Sequence, residues 1–188
     1  ATKALHTRAA VAGARTALAG AAVVSLQNGL GNEEVIAELV PRVIRGSIVT
    51  AGAIVAPGVV RYDAPGDSWF GPFEPRPAPM GEIERLAGLL GAGGLRTHAL
   101  ADARGPQWTK VIFNSATSPL AALTGLPMGP LCTDRALRGQ VDALVAEALA
   151  VCERAGSLDG WRDGGLAELR AAVEPYDTVG PVYFQPGL

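Results

Sequence analysis

The pattern of apolar residues changes once along this 188-residue chain, near residue 101, and this change constrains the fold more than any other feature. Before it, short apolar runs rich in β-branched residues alternate with stretches of helical periodicity. After it, helical patterns at 102–123, 134–155 and 165–173 follow one another with no strand pattern between them. Alternating strands and helices predict a layered α/β sheet. We therefore expect an α/β unit over residues 1–101 and an all-helical unit over residues 102–188.

Glycine and proline divide the first part into predicted elements. Helices are expected at 5–19, 33–39 and 80–90, and strands at 21–27, 43–55, 59–62, 68–71 and 95–100. Pro57-Gly58 and Pro65-Gly66 are typical of turns between antiparallel strands.

Composition and charge exclude several classes of function. The net charge is −2 and no run of basic residues occurs, so the sequence offers no nucleic-acid footprint. Its apolar runs are strand-length, far short of the 18 or more residues of a membrane span. Cys132 and Cys152 lack metal-ligand spacing, and His6 and His98 have no partner at motif spacing. We expect reduced thiols, a cytoplasmic protein and no metal site.

The segment from Trp108 to Leu120 holds the first candidate site. Residues four apart share a helix face, so Lys110, Asn114 and Ser118 form a polar stripe on an otherwise apolar helix. Partial burial would lower the lysine pKa toward the range that a proton donor needs. The spacing alone equally fits a lysine whose ammonium group reaches water along an apolar surface. Glu147, inside a later apolar helix, is either a buried functional carboxylate or an exposed one.

The loop Asn28-Gly29-Leu30-Gly31-Asn32 holds the second candidate site, because it links a predicted strand to a predicted helix. Open α/β folds bind ligands at this edge of the sheet. The loop does not match the dinucleotide fingerprint, since Glu34 stands where the third glycine belongs. A glycine turn with Asn32 as the N-cap of the helix would explain the same residues.

Taken in order along the chain, these segments resemble the ketopantoate reductase family, within the 6-phosphogluconate dehydrogenase-like group. The resemblance rests on Lys3, on Gln27 to Gly31, on Gly46 to Gly58, on Trp108-x-Lys110-x-x-x-Asn114 with Pro119-Leu120, and on Glu147 with Gly156. It implies a Rossmann-type domain, of which residues 1–101 are the C-terminal part, followed by a helical substrate and dimerisation domain over residues 102–188.

The resemblance also implies a reaction and roles for residues. NADPH would reduce a 2-keto acid, with Lys110 as general acid. Asn114, Ser118 and Asn28 would bind the substrate, and Lys3, Asn28 and Gly52 would contact the cofactor. A homodimer through the helical domain is expected.

The sequence departs from the family at its ends and at two internal positions. By the resemblance, a first βαβ unit with a glycine-rich loop should precede Lys3, and this sequence lacks it. The family's C-terminal segment is expected to begin at Pro186-Gly187-Leu188 and to be cut off there. We accordingly expect this chain alone to bind NADPH weakly and to be inactive. Ser118 and Met128 stand where the family usually has asparagine. Another hydroxy-acid dehydrogenase of the same superfamily and a non-catalytic binding module are the alternatives.

Overall fold

The computed structural model describes residues 2–154 of the chain. A 3-10 turn at Ala4–His6 leads into the first helix. The helices are α1 (Thr7–Gly13), α2 (Asn32–Ala37), α3 (Met80–Ala92), α4 (Arg104–Thr124), α5 (Met128–Thr133) and α6 (Arg135–Arg154). The strands are β1 (Ala22–Ser25), β2 (Arg42–Ile48), β3 (Ala51–Ala56), β4 (Val59–Ala64), β5 (Asp67–Pro72) and β6 (Arg96–Ala99).

The chain forms two compact units. Of the described residues, the first unit comprises 2–51 and 64–107, and the second comprises 52–63 and 108–154. Helix α4 is continuous, with its first turn in the first unit and the remainder in the second.

A four-stranded sheet in the order β1-β2-β5-β6 forms the centre of the first unit. Strands β1 and β2 are parallel, with Val23 opposite Val43, and helix α2 makes the crossover between them. Strand β5 is antiparallel to β2 and parallel to β6. This mixed α/β sheet agrees with the fold class that the sequence predicts.

Adjacent residues of β2 bury opposite faces of the sheet, because side chains alternate along a strand. Val43 is fully buried in one cluster, and Ile44 is 3% exposed in the other. The first cluster comprises Val11, Ile36, Ala37, Val40, Val43 and Phe73, and the second comprises Ile44, Phe70, Ala78, Ile83 and Ala87. Helices α1 and α2 therefore cover one face and α3 covers the other.

The second unit has a helical core and a hairpin. Ala116 of α4, Leu131 of α5 and Val141 of α6 are all buried and form this core. Pro119 lies inside α4, where it removes one backbone hydrogen bond from the helix. Strands β3 and β4 form a two-stranded sheet. None of the described helices is long and apolar enough to cross a membrane.

Three elements differ from the sequence prediction. The helix expected at 5–19 ends at Gly13, and a run of turns continues to Gly20. The single strand expected at 43–55 is two strands, β2 and β3, that belong to different sheets. The short helix α5 has no counterpart among the predicted elements. The helix predicted at 165–173 lies outside the described residues.

Gly46 of β2 generates a test of this packing. A Cβ atom at position 46 would lie 2.6 Å from the backbone oxygen of Ser25 and 2.7 Å from Cδ2 of Leu26. We expect Gly46→Ala to lower the free energy of unfolding by about 1–3 kcal/mol, the usual cost of overpacking.

Gly88→Ala is the matched control, since Gly88 lies within α3 and a Cβ there meets nothing within 4 Å. Alanine favours a helix interior, so this variant should gain about 0.5–1 kcal/mol. Urea unfolding of both variants measures the two effects. A Gly46→Ala protein as stable as the parent would contradict the close approach of β1 and β2.

Candidate functional site

The loop after β1 begins at the carboxyl end of a parallel strand. Gly29 and Gly31 have φ angles of 90° and 92°, a left-handed conformation that glycine adopts without steric cost. Between the strand and α2, this loop exposes the side chain of Asn28. The predicted loop is therefore present, with its asparagine accessible.

A small hydrogen-bond network fixes the loop in place. Gln27 donates from Nε2 to the hydroxyl of Thr7 at 2.8 Å and to the backbone oxygen of Thr2 at 2.9 Å. The Thr7 hydroxyl lies 3.2 Å from Oδ1 of Asn32, to which it donates. Asn32 in turn donates from Nδ2 to the backbone oxygen of Asn28 at 3.3 Å. These bonds join the segment around Lys3, next to Thr2, to the Asn28 loop.

Asn32 does not act as the N-cap of α2. Gly31 occupies that position, with no side-chain cap bond. The Asn32 side chain is 3% exposed and is engaged with Thr7 and Asn28 instead. The N-cap interpretation of Asn32 is therefore wrong.

A buried polar cluster joins three elements of the first unit. Gln107, in the first turn of α4, donates from Nε2 to Oε1 of Glu33 at 3.0 Å. Its Oε1 accepts a hydrogen bond from Nη1 of Arg45 on β2. Burial raises the pKa of the Glu33 carboxyl, although Arg45 and hydrogen bonds act against that change. Burial likewise lowers the pKa of Arg45, against the attraction of nearby carboxylates.

In the second unit, α4 presents the predicted polar stripe. Lys110 and Asn114 are half-buried and Ser118 is exposed. Ile112 and Ala116 are fully buried, two positions along the helix from Lys110 and Asn114 respectively. Burial lowers the pKa of the Lys110 ammonium group. The apolar side of the helix thus faces the protein core, and the lysine on the other side is partly removed from water.

The predicted residues fall into two groups. Lys3 and Asn28 belong to the first unit, and Lys110, Asn114 and Ser118 lie in line on one helix of the second unit. Gly52 lies on β3, where a Cβ would come within 2.8 Å of the backbone oxygen of Arg61. A side chain at position 52 would collide with β4, so the pairing of β3 with β4 explains why this residue is glycine. The substrate and cofactor roles of all six residues stay predictions.

The sequence did not single out Arg45, Gln107 or Thr7, which form hydrogen bonds close to these candidate residues along the chain. Arg45 could have been found from the sequence, because a charged residue is unusual in the apolar strand pattern that begins at Val43-Ile44. Gln107 stands three residues before Lys110, which places the two as neighbours on a helix. Nothing in the sequence indicated the role of Thr7, since its partners Gln27 and Asn32 are distant along the chain.

The remaining candidates form no further site. Glu147 is exposed, which excludes the buried carboxylate that the sequence allowed. His98 has a partner that spacing did not indicate, since its Nε2 lies 2.9 Å from Oδ1 of Asp67 on the surface. Cys132 and Cys152 form no disulfide in the described part of the chain, and burial raises the pKa of Cys152. Within residues 2–154, no His, Cys, Asp and Glu cluster could hold a metal ion.

Comparison with known families gives two matches that together cover most of the chain. The family described as ketopantoate reductase PanE/ApbA matches residues 1–75, and its C-terminal family matches residues 102–178. The 2-dehydropantoate 2-reductase of Pyrococcus abyssi is 36% identical over 127 residues, which are 65% of this chain and 40% of that protein. The enzyme of the same name from Halobacterium salinarum is 35% identical over 144 residues, 71% of this chain and 47% of that protein. The chain thus spans about half the length of these relatives or less.

Solved structures show the same fold. A PanE/ApbA family ketopantoate reductase from Ralstonia eutropha superimposes with a TM-score of 0.76 at 26% identity, over 95% of this chain and 58% of that one. A D-mandelate dehydrogenase in complex with NADH gives a TM-score of 0.78 at 20% identity, over 97% of this chain and 60% of that one. At this identity, the second likeness concerns the fold alone.

The environment of Lys110 can be measured directly, because Lys3 and Lys110 are the only lysines in the sequence. Selective ¹³C labelling of lysine gives two side-chain signals, and Lys110→Arg identifies one of them. We expect the Lys110 signal to titrate below the ordinary lysine value of 10.5, because burial disfavours the charged form. Titration at or above that value would contradict the partial burial of the ammonium group.

Proposed function

Because the chain belongs to the ketopantoate reductase family, we propose that the protein reduces a 2-keto acid to the 2-hydroxy acid with NADPH. The observation that carries this proposal is the partly buried ammonium group of Lys110 on the Asn114 side of α4. An ionisable group with a perturbed pKa on a mostly apolar helix is a candidate for a functional role. The sequence and structural relatives named above support the family's reaction as the most economical assignment.

Lys110 acts in this proposal as the general acid. A carbonyl oxygen that receives electrons as hydride arrives at C2 becomes an alkoxide and needs a proton. The Lys110 ammonium group donates that proton and becomes a neutral amine. Burial lowers the lysine pKa, which brings the acid nearer to the pH at which the enzyme works.

Asn114 and Ser118 bind the substrate in this proposal. They lie four and eight residues after Lys110, so both share its side of the helix. The Asn114 amide offers one acceptor and two donor hydrogens, and the Ser118 hydroxyl offers one donor hydrogen. Such groups fix the orientation of the keto acid while Lys110 protonates it.

The residues of the first unit suit a dinucleotide. Lys3 and Asn28 are exposed, and Gly29 and Gly31 leave open space around the loop backbone. A cation and an amide at the carboxyl end of a parallel strand can bind phosphate and amide groups of a cofactor. When bound, NADPH supplies the hydride. We place Asn28 at the nicotinamide end and assign Lys3 to a cofactor contact. The resemblance to the family gives the same role to Gly52, which belongs to the second unit.

The wider organisation belongs to the same proposal. We assign residues 1–101 to the C-terminal part of a dinucleotide-binding domain and residues 102–188 to a helical domain for substrate binding and dimerisation. The ranges of the two family matches support this division. A cytoplasmic location and a preference for NADPH over NADH stay predictions.

Replacing Lys110 tests the assignment in the full-length protein. Lys110→Ala should lower kcat by roughly 10²–10⁴, the usual contribution of a positioned acid. Lys110→Arg is the matched control, because arginine keeps the charge but does not give up its proton near neutrality. Both variants should therefore be slow. Retention of more than half the parent kcat by either variant would return Lys110 to a structural role.

Substrate preference gives a second test, based on Ser118 and Met128. A serine hydroxyl is shorter than an asparagine side chain, and methionine forms almost no hydrogen bonds. A substrate hydroxyl left poorly paired costs about 1–3 kcal/mol. We expect a higher kcat/KM for a keto acid with a less polar or bulkier tail than for ketopantoate. Assays with ketopantoate and its deoxy analogue measure this, and a tenfold preference for ketopantoate would contradict it.

A further inference from the structure

The amide of Gln107 lies between a buried carboxylate, that of Glu33, and a half-buried guanidinium, that of Arg45. Gln107 is 4% exposed and Glu33 is 2% exposed. The Gln107 NH₂ group donates to Glu33 at 3.0 Å, and its oxygen accepts from Arg45. Because an amide offers a donor at one end and an acceptor at the other, it forms a hydrogen bond with both charged neighbours at once.

Strand β2 contacts the first turn of α4 at a second point. Ser47 lies two residues after Arg45, so both side chains point to the same face of the sheet. The Ser47 hydroxyl donates to the backbone oxygen of Pro106 at 3.2 Å. The Arg45 guanidinium also stacks over the ring of Phe73, 5.1 Å from its centroid. The first turn of α4 is thus fixed to β2 at two adjacent residues, Pro106 and Gln107.

Loss of this arrangement would be costly. A buried charge without a hydrogen-bond partner destabilises a protein far more than a surface one. Without the amide, the Glu33 carboxylate and the Arg45 guanidinium each lose a bond. The cluster therefore favours one orientation of the first helical turn over others.

We propose that Gln107 is a positioning residue, which with Glu33 and Arg45 fixes the first turn of α4 and thereby the placement of Lys110. This inference rests on the proposed function, in which Lys110 is the general acid. The two residues are three apart on one continuous helix, so they are neighbours on its surface. They are about 4.5 Å apart along the helix axis. A rotation of the first turn therefore also rotates the second turn, which carries Lys110.

The consequence for catalysis follows from the sensitivity of proton transfer to distance. A displacement of about 1 Å in a catalytic group can cost roughly 100-fold in rate. Gln107→Leu removes both hydrogen bonds of the amide while it keeps a side chain of similar size. We expect this variant to lower kcat at least tenfold in the full-length protein, with the KM for the cofactor changed by less than twofold.

The control variant must destabilise the first unit without changing the contacts of Glu33, Arg45 and Gln107. Ile83 of α3 is fully buried on the opposite face of the sheet, against Ile44 and Phe70. Ile83→Val removes one buried methyl group and destabilises the same unit. We expect its kcat, corrected for the folded fraction, and the pH dependence of kcat to match the parent.

An exchange of the two side chains tests the hydrogen-bond pattern itself. Gln107→Glu alone places two carboxylates against each other and should behave like Gln107→Leu. In the double variant Glu33→Gln with Gln107→Glu, the new carboxylate accepts from both Arg45 and the new amide. The double variant should recover most of the lost kcat. Failure of this recovery would contradict the pairing.

Two measurements need neither cofactor nor substrate, which separates this inference from the proposed function. Gln107→Leu should shift the titration of the ¹³C-labelled Lys110 signal and speed hydrogen exchange of the amides in residues 104–110, and Ile83→Val should do neither. If the parent protein reduces no 2-keto acid, the proposed function fails while these measurements still decide whether Gln107 positions Lys110. An unchanged Lys110 titration in Gln107→Leu, with or without faster exchange, would overturn the inference.

Discussion

The alternation of side chains along strand β2 organises the first unit. Val43, Arg45 and Ser47 point to one face, where they meet the α1 and α2 cluster and the first turn of α4. Ile44 points to the other face and packs against α3. Gly46 leaves room for the close approach of β1, whose carboxyl end begins the Asn28 loop. Helix α2, the Asn28 loop and the start of α4 all depend on this one strand.

Two hydrogen-bond networks of polar side chains lie beside strand β2 and the Asn28 loop. Around the Asn28 loop, uncharged groups satisfy one another, with the Thr7 hydroxyl between two amides. At the start of α4, Gln107 connects the buried Glu33 carboxylate to the half-buried Arg45 guanidinium. Such networks favour one arrangement of the protein, because an alternative arrangement breaks their hydrogen bonds. Both networks lie beside residues to which we assign chemistry.

Local spacing was sufficient to predict the polar stripe of Lys110, Asn114 and Ser118, since helical periodicity needs only the sequence of one element. The glycine loop was predictable for the same reason. The partners of Arg45 and Thr7 were not, because Gln107 is 62 residues from Arg45 and Asn32 is 25 from Thr7. The α1 prediction ran too long because an alanine-rich segment favours helix throughout, yet α1 ends at Gly13. The six residues of α5 are too few for a periodic pattern.

The proposed reaction depends on proton donation by Lys110. Chemical rescue measures this most directly: the full-length Lys110→Ala protein is assayed for keto-acid reduction with added small primary amines. If the ammonium group of Lys110 is the proton donor, protonated amines that enter the vacated space will restore part of the rate, in proportion to their concentration. A slow Lys110→Ala protein whose rate no amine raises would contradict the assignment. Equal rescue of a variant at Asn114 would also contradict it, because the effect would then not depend on the missing lysine.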